Sequence, residues 1–492
     1  MKTIPMQHQR DGLAWSEGRR YYGLFWEQGT GKTWALLADA ERAFAANKIN
    51  GLCVVAPKGV HTNWTRRELP THLSAPYKAA AYRAGSVGAL RACQALHVEG
   101  GDKLRVLSIN IDALNHKEGF SVARRFLEEH RAILVMDESH RIKTPTTGVT
   151  KRSITLARLS VARRIASGTP LANAPPDLYS QFEFMKPGLL GTDSYRAFVA
   201  RYCELMPDDA GIMRHIVKRM KEKEWARKAA ERGELELPQI FRKGRDGTPI
   251  WKNLDELRRI IAPHTSRILK KDCLDLPEKI YKVLYFELSA QQQRVYKQVE
   301  TELTLEVGED LLAVNALSAR TKLRQITSGF VLVEGVAHYV AEENPRLALL
   351  KETLLDQQGQ VIIWAHFREE IAAIMRLLKE MEISAAEYHG DVSDRNRDIA
   401  VDGFQSGEFQ IFVGQEQAGG TGLTLTAAQT VIYVSTDFNY VNRAQSEDRA
   451  HRKGTIGHVL YIDLVAIDTV DEPIANALQR KEDTAAYVLG DR

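Results

Sequence analysis

The chain is expected to be an α/β protein built from two parallel sheets in tandem, each covered by helices. Three observations carry that expectation. Between residues 20 and 170, short apolar runs alternate with helix-like stretches, the rhythm of a parallel sheet with crossover helices. The same rhythm returns between residues 361 and 464. A glycine-rich turn, GTGKT at 29–33, ends the first apolar run and opens a helix, the setting in which backbone N–H groups close around phosphates.

The first set of strands is predicted at 22–26, 52–56, 105–109, 132–136 and 164–167. The second is predicted at 361–364, 385–388, 410–413, 430–434 and 459–464, with Tyr388-His389-Gly390 closing one of them. The middle of the chain differs. Residues 214–245 hold eleven Lys/Arg against five Asp/Glu, which predicts a charged helical protrusion. That run reads equally well as a solvated helix face or as a nucleic-acid contact. A helical stretch is expected at 289–328 and a C-terminal helix at about 470–487. The divisions are therefore 1–195 for the first lobe, 196–278 for the protrusion and inter-lobe segment, and 279–492 for the second lobe.

The bulk numbers bound the class. At 492 residues the chain exceeds a single core and suits two domains with insertions. A composition of 44% hydrophobic and 26% charged residues is that of a globular chain, and the net charge of +4 means that any affinity for polyanions is local. The four cysteines form no CxxC pair, which argues against zinc and for free thiols in a reducing compartment. Without a signal pattern or an apolar run of membrane length, a cytoplasmic or nuclear location with no membrane partner is expected.

Three segments carry chemistry. Lys32 is placed to reach the β- and γ-phosphates of ATP, with Gly29, Thr30 and Gly31 forming the cradle and Thr33 ligating Mg²⁺. The full phosphate-loop pattern has a glycine where this chain has Trp26. Asp137 and Glu138 follow the apolar run AILVM, at a strand's C-terminal end where ligands bind in open sheets. Asp137 would hold Mg²⁺ and Glu138 would orient and deprotonate the attacking water. In QSEDRAHR, Arg449 and Arg452 share one helical face and could stabilise charge on the transferring phosphoryl group from a second lobe. Trp15 and Trp34 read as core.

In order along the chain, HQRDG, EQGTGKT, VVAPKGVHTNWTRRE, DESHRIKT, ASGTPLANAPPDLYSQFEFMKPG, RILKKD, VIIWAHF, GGTGLTLTAAQTVIY and QSEDRAHR resemble the successive motifs of the SNF2 family of superfamily 2 motors. DESH, the run from Tyr195 to Cys203 and Thr424 are similar to the distant branch that includes annealing helicases. The resemblance implies two RecA-like lobes with helical protrusions between them. It implies that Gln9 reads adenine, that His140, Thr169 and Gln445 couple the lobes, and that Lys58, Asn63, Trp64 and Lys143 meet nucleic acid. For Trp64, packing of its loop and contact with nucleic acid stand even. The chain departs from the family at Glu27 and Gln28, at Gln415 and Glu416, where an acid would face phosphates uneasily, and at Lys453-Gly454-Thr455.

The function implied is a DNA-dependent ATPase that couples hydrolysis to translocation along duplex DNA and to remodelling of bound protein or DNA. A strand-separating or strand-annealing helicase on DNA or RNA is the alternative, and an inactive nucleic-acid-binding scaffold a third. The short flanks predict a bare, monomeric motor whose target specificity comes from another protein in trans.

Overall fold

The computed structural model describes residues 1–97, 102–204, 250–302, 304–307, 310–313, 316–417, 423–437, 439–455 and 457–491. The basic run at 214–245 and residues 419–422 of the GGTGLTLT segment lie outside them.

The first sheet is formed by β1 (Tyr21–Trp26), β2 (Gly51–Ala56), β3 (Tyr77–Ala81), β4 (Leu104–Asn110), β5 (Ala132–Asp137), β6 (Ala162–Ala166) and β7 (Thr265–Ile268). Its order is β3-β4-β2-β5-β6-β1-β7, and every pairing is parallel. β2 and β5, GLCVVA and AILVMD, are buried along their whole length because helices cover both faces. One face packs Phe25, Val55, Phe126 and Phe182, and the other packs Leu24, Trp26, Trp34 and Val135. Each such side chain contributes about 1.5–3 kcal/mol on leaving water. Trp34 is core, as expected, with its indole donating to Thr3 Oγ1 at 3.0 Å.

The second lobe begins with β8 (Lys279–Phe286). It then carries the hairpins β9 (Thr304–Val307) with β10 (Asp310–Ala313) and β11 (Phe330–Val333) with β12 (Val336–Tyr339). Its sheet adds β13 (Gln360–Trp364), β14 (Ala385–Tyr388), β15 (Ile411–Gly414), β16 (Ala428–Tyr433) and β17 (Val459–Ala466), in the parallel order β14-β15-β13-β16-β17-β8. Two parallel α/β sheets in tandem are therefore the observed architecture.

The structure departs from the sequence expectation in several places. The stretch 289–328 is not helical throughout: β9 and β10 pair antiparallel within it, with Asp310 opposite Val307 and Ala313 opposite Thr304. β7, within 196–278, adds the last strand of the first sheet beside β1. The C-terminal helix, expected at about 470–487, spans Asp471–Leu489 and starts in the second lobe, where Asp471 accepts from Arg346 and from Ala466 N–H. It ends in the first lobe's core, with Ala485 and Val488 packed in the cluster that holds Leu257 and Ile261. Asp491, just beyond it, pairs with Arg267 of β7 at 2.6 Å. The two lobes are thus tied at both ends of one helix.

Candidate active site

The C-terminal ends of β1, β5 and β6 lie side by side, and the loops leaving them bring the first cluster together. After β1 the chain turns through Gly29 and Gly31, at φ +81° and +88°, the left-handed region that glycine adopts without strain. Gly31 caps the helix Lys32–Ala45, whose first turn carries Lys32 and Thr33. Thr30 is buried and donates through Oγ1 to the Glu27 carbonyl at 2.8 Å. Lys32 Nζ donates to the carbonyls of Trp26 at 2.8 Å and Glu27 at 3.1 Å. Desolvation lowers the pKa of this amine, and Glu138 and Asp137 oppose the shift.

Gln9 lies against this loop. A Cβ on Gly31 would stand 2.0 Å from Gln9 Nε2, so the glycine also makes room for the amide. Gln9 Oε1 accepts from Met6 N–H at 2.9 Å, which closes the first turn of its helix. His8, which sequence reasoning passed over, donates from Nε2 to the Thr30 carbonyl at 2.7 Å.

Asp137 ends β5, and Glu138 follows with φ +53°, the left-handed region that few residues other than glycine adopt. Glu138 Oε2 lies 3.3 Å from His140 Nδ1 and 3.4 Å from Ser167 Oγ. Burial opposes its ionisation, but the hydrogen bond and charge of His140, together with Lys32, outweigh it and hold the carboxyl below its ordinary value. Asp137 goes the other way. Burial, then the charge of Glu138, push it up to about 6. Ser167 Oγ also accepts from Thr169 N–H at 3.1 Å, so His140, Ser167 and Thr169 form one chain from the acids to the loop after β6.

Of the two readings of Trp64, the structure has packing. Trp64 is 1% exposed and its indole Nε1 donates to Asp137 Oδ2 at 3.0 Å, so it packs inside the lobe. The ring turns inward because β2 lies next to β5, which sets the helical segment after β2 over the end of β5. Lys58 is exposed, while Asn63 and Lys143 are half-buried.

In the second lobe, Gln445, Arg449 and Arg452 follow one another along and just past the helix Tyr440–Ala450. Arg449 is buried, lies over the Trp364 ring at 5.4 Å and donates to the Glu416 carbonyl at 3.3 Å. Arg452 donates to the Leu423 carbonyl at 3.2 Å and to Thr424 Oγ1 at 2.8 Å. All these partners belong to the second lobe, so neither arginine is joined by these bonds to Lys32, Asp137 or Glu138. Gln445 is half-buried.

The group that bridges the lobes is Lys270, which sequence reasoning missed. Its backbone N–H donates to Glu27 Oε2 at 2.6 Å, beside the phosphate loop. Its buried Nζ donates to Asp448 Oδ1 at 2.6 Å and to the His451 carbonyl at 2.7 Å. Glu27, a departure from the family pattern, thereby has a partner. The available signal was position alone: RILKKD joins the two sheets in sequence. Lys270→Ala is expected to cost about 3 kcal/mol, because it leaves a largely buried carboxylate without its cation. A thermal melt should shift down by several degrees for Ala and by nearly as much for Lys270→Met, which keeps the stem. Equal stability of parent and Met variant would show the ion pair to be idle.

Glu416, one of the departures from the family pattern, shows how the chain holds an acid at this place. It is buried, with Thr436 Oγ1 donating to Oε1 at 2.9 Å. Burial, then neighbouring Asp437, push its pKa from 4.5 up to about 8. A carboxyl shifted this far is largely protonated at neutral pH. Between 4.5 and 8 the folded chain holds a proton that the unfolded chain releases. Stability should therefore fall as pH rises through this window, with the penalty complete above about 8. Urea midpoints measured from pH 6 to 9 should show Glu416→Gln losing that slope and exceeding the parent at pH 9.

A cavity of about 490 Å³ lies between the lobes beside this cluster, with Gln28, Thr169, Arg267, Arg443 and Asp448 among its walls. Among the described residues no group of three or more His, Cys, Asp and Glu gathers as a metal cage. The donor set fits Mg²⁺ nonetheless, since that ion is usually held by one or two carboxylates with substrate phosphates and water. Two adjacent buried acids beside one lysine leave room for positive charge.

The SNF2-related domain matches residues 8–330, and the helicase conserved C-terminal domain matches residues 345–454. The chromodomain-helicase-DNA-binding protein 1-like of Danio rerio is 26% identical over 498 residues, 95% of this chain and 42% of that protein. The putative ATP-dependent helicase/translocase YwqA of Bacillus subtilis is 28% identical over 498 residues, 96% of this chain and 48% of that protein. The solved SWI2/SNF2 ATPase core of Sulfolobus solfataricus in complex with dsDNA is 22% identical, with a TM-score of 0.41 over 100% of this chain and 94% of that one. The chain spans less than half the length of these two curated relatives. With the first match covering well over half of its residues, the chain belongs to the SNF2-related family, and its second lobe carries the helicase conserved C-terminal domain.

Proposed function

We propose that the chain is an ATP-hydrolysing motor that binds nucleic acid, duplex DNA above all, and couples turnover to movement of its two lobes. The observation that carries this reading is the buried Glu138, held by His140 and Ser167 at the same sheet edge as Lys32 and Asp137. Lys32 would leave its two carbonyls for the β- and γ-phosphates, and Thr33 with Asp137 would hold Mg²⁺. When bound, that ion supplies charge neutralisation on the phosphates and fixes their geometry. Glu138 would orient the attacking water and take its proton. The chain Glu138–His140–Ser167–Thr169 would report the state of the phosphates to the inter-lobe cleft.

Lys270 supports coupling of hydrolysis to lobe movement, because it joins the phosphate-loop side to the arginine-bearing helix. Family membership supports ATP use and nucleic-acid contact, for which Lys58, Asn63 and Lys143 remain our candidates. A motor that grips phosphates needs no base readout and should weaken steeply with salt. The test is ATP hydrolysis without polynucleotide and with duplex DNA, single-stranded DNA, forks and RNA. Stimulation greatest with duplex, together with displacement of a triplex strand, is expected. Efficient fork unwinding without triplex displacement would favour a strand-separating enzyme, and no hydrolysis with any polynucleotide would sink the ATPase.

A further inference from the structure

We propose that Trp64 is a positioning residue that fixes the carboxylate of Asp137 for a divalent metal. The proposal rests on the ATPase reading above, in which Asp137 faces Mg²⁺.

The two oxygens of Asp137 are held from two directions. Oδ2 accepts from the Trp64 indole at 3.0 Å, and Oδ1 accepts from Glu138 N–H at 3.1 Å. Two such bonds set the plane of the carboxylate. Trp64 is itself fixed, at 1% exposure within the cluster that holds Val54, Ala56, Leu69, Ile133 and Val135. Its ring cannot turn away without opening that core.

The choice of an indole has a chemical reason. Asp137 sits between the repulsion of Glu138 and the attraction of Lys32. A lysine or arginine in place of Trp64 would neutralise the carboxylate and compete with a metal. The indole N–H donates only, so it can neither accept a proton nor ligate the ion. It orients the acid and leaves its charge available. Partners of this kind, bonded to a metal ligand and not to the metal, typically govern 10–100-fold of metal affinity.

The segment around Trp64 is built for a fixed position. The turn Val60–Asn63 runs into a π-helical turn, Trp64–Glu68, a geometry that recurs at functional sites. Because β2 and β5 are neighbours, this segment crosses the end of β5.

The test uses the full chain with Trp64→Phe, and a second variant carrying 3-benzothienylalanine at position 64, which keeps the bicyclic shape and replaces N–H by sulfur. Fluorescent ADP affinity is measured in Mg²⁺ and in EDTA, and ATP turnover is measured against Mg²⁺ concentration. In both variants ADP affinity in EDTA should match the parent. The gain on adding Mg²⁺ should shrink, and the half-saturating Mg²⁺ should rise, each by about tenfold. Parental Mg²⁺ dependence in the benzothienyl variant overturns the proposal, and that variant decides if the Phe protein misfolds. A parent chain that binds ADP equally well with and without Mg²⁺ overturns it too. If the parent binds Mg²⁺ and ADP together but never hydrolyses ATP, the ATPase reading fails, and the ADP comparison still decides the role of Trp64.

Discussion

Glu138→Gln should leave ATP binding within a few-fold of the parent and lower turnover by about 10²–10⁴-fold, the usual contribution of a positioned base. The amide keeps the shape and the hydrogen bonds to His140 and Ser167, but it cannot take a proton. Both of those contacts use Oε2, at 3.3 and 3.4 Å. The environment also supports the role. An acid held below its ordinary value despite burial is ionised throughout the neutral range. Steady-state phosphate release with and without duplex DNA, beside fluorescent nucleotide binding, checks the expectation. Turnover close to that of the parent would remove Glu138 from the chemistry.

Arg452→Ala should reduce turnover by about 10³-fold or more, in the range of an arginine acting on transition-state charge, while nucleotide affinity changes little. Of the two arginines, Arg452 is the one whose present bonds are cheap to give up. Its acceptors are a carbonyl and a threonine hydroxyl, both neutral, and a phosphate would outcompete them. Arg449 is buried between the Trp364 ring and the Glu416 carbonyl, so leaving would open the second lobe's core. Arg449→Ala is therefore expected to lower thermal stability, and Arg452→Ala to leave it nearly unchanged. Measuring both melts beside both turnover numbers separates a finger from a support. Parental turnover in Arg452→Ala would show that the second lobe supplies no such charge.

Much of the fold was legible because it rests on local pattern. The ten predicted strands each match an observed strand to within a residue or two, since runs such as AILVM and VIIW fit buried parallel strands and little else. The strands that escaped lack that signature. β3 is YKAAA, too rich in alanine to announce itself, and β7 is four half-buried residues. β8, KIYKVLYF, lies at a sheet edge with several apolar side chains exposed, so its alternation marked no buried face. The hairpin of β9 and β10 was hidden among helix-favouring residues on either side.

The candidate site divides the same way. The identities of Lys32, Asp137, Glu138, Arg449 and Arg452 follow from short patterns whose chemistry depends on spacing within a turn or two of chain. Whether Trp64 faced a ligand or the core turned on a strand order that no local pattern encodes. Lys270 stood in a basic run among many others, and only the approach of Glu27, Asp448 and His451 sets it apart.

By itself, the sequence determined two α/β sheets, a phosphate-binding loop, an acidic pair at a strand end and a distant arginine pair, because each is written in contiguous residues. The tertiary structure decided which of them meet. It joined Trp64 to Asp137 across 73 residues and Lys270 to Asp448 across 178. Such contacts depend on sheet order and chain crossing, and their energy comes from burying groups that are far apart in the chain. The same packing turned the C-terminal helix into a tie between lobes and left the arginines, for the present, bonded within their own.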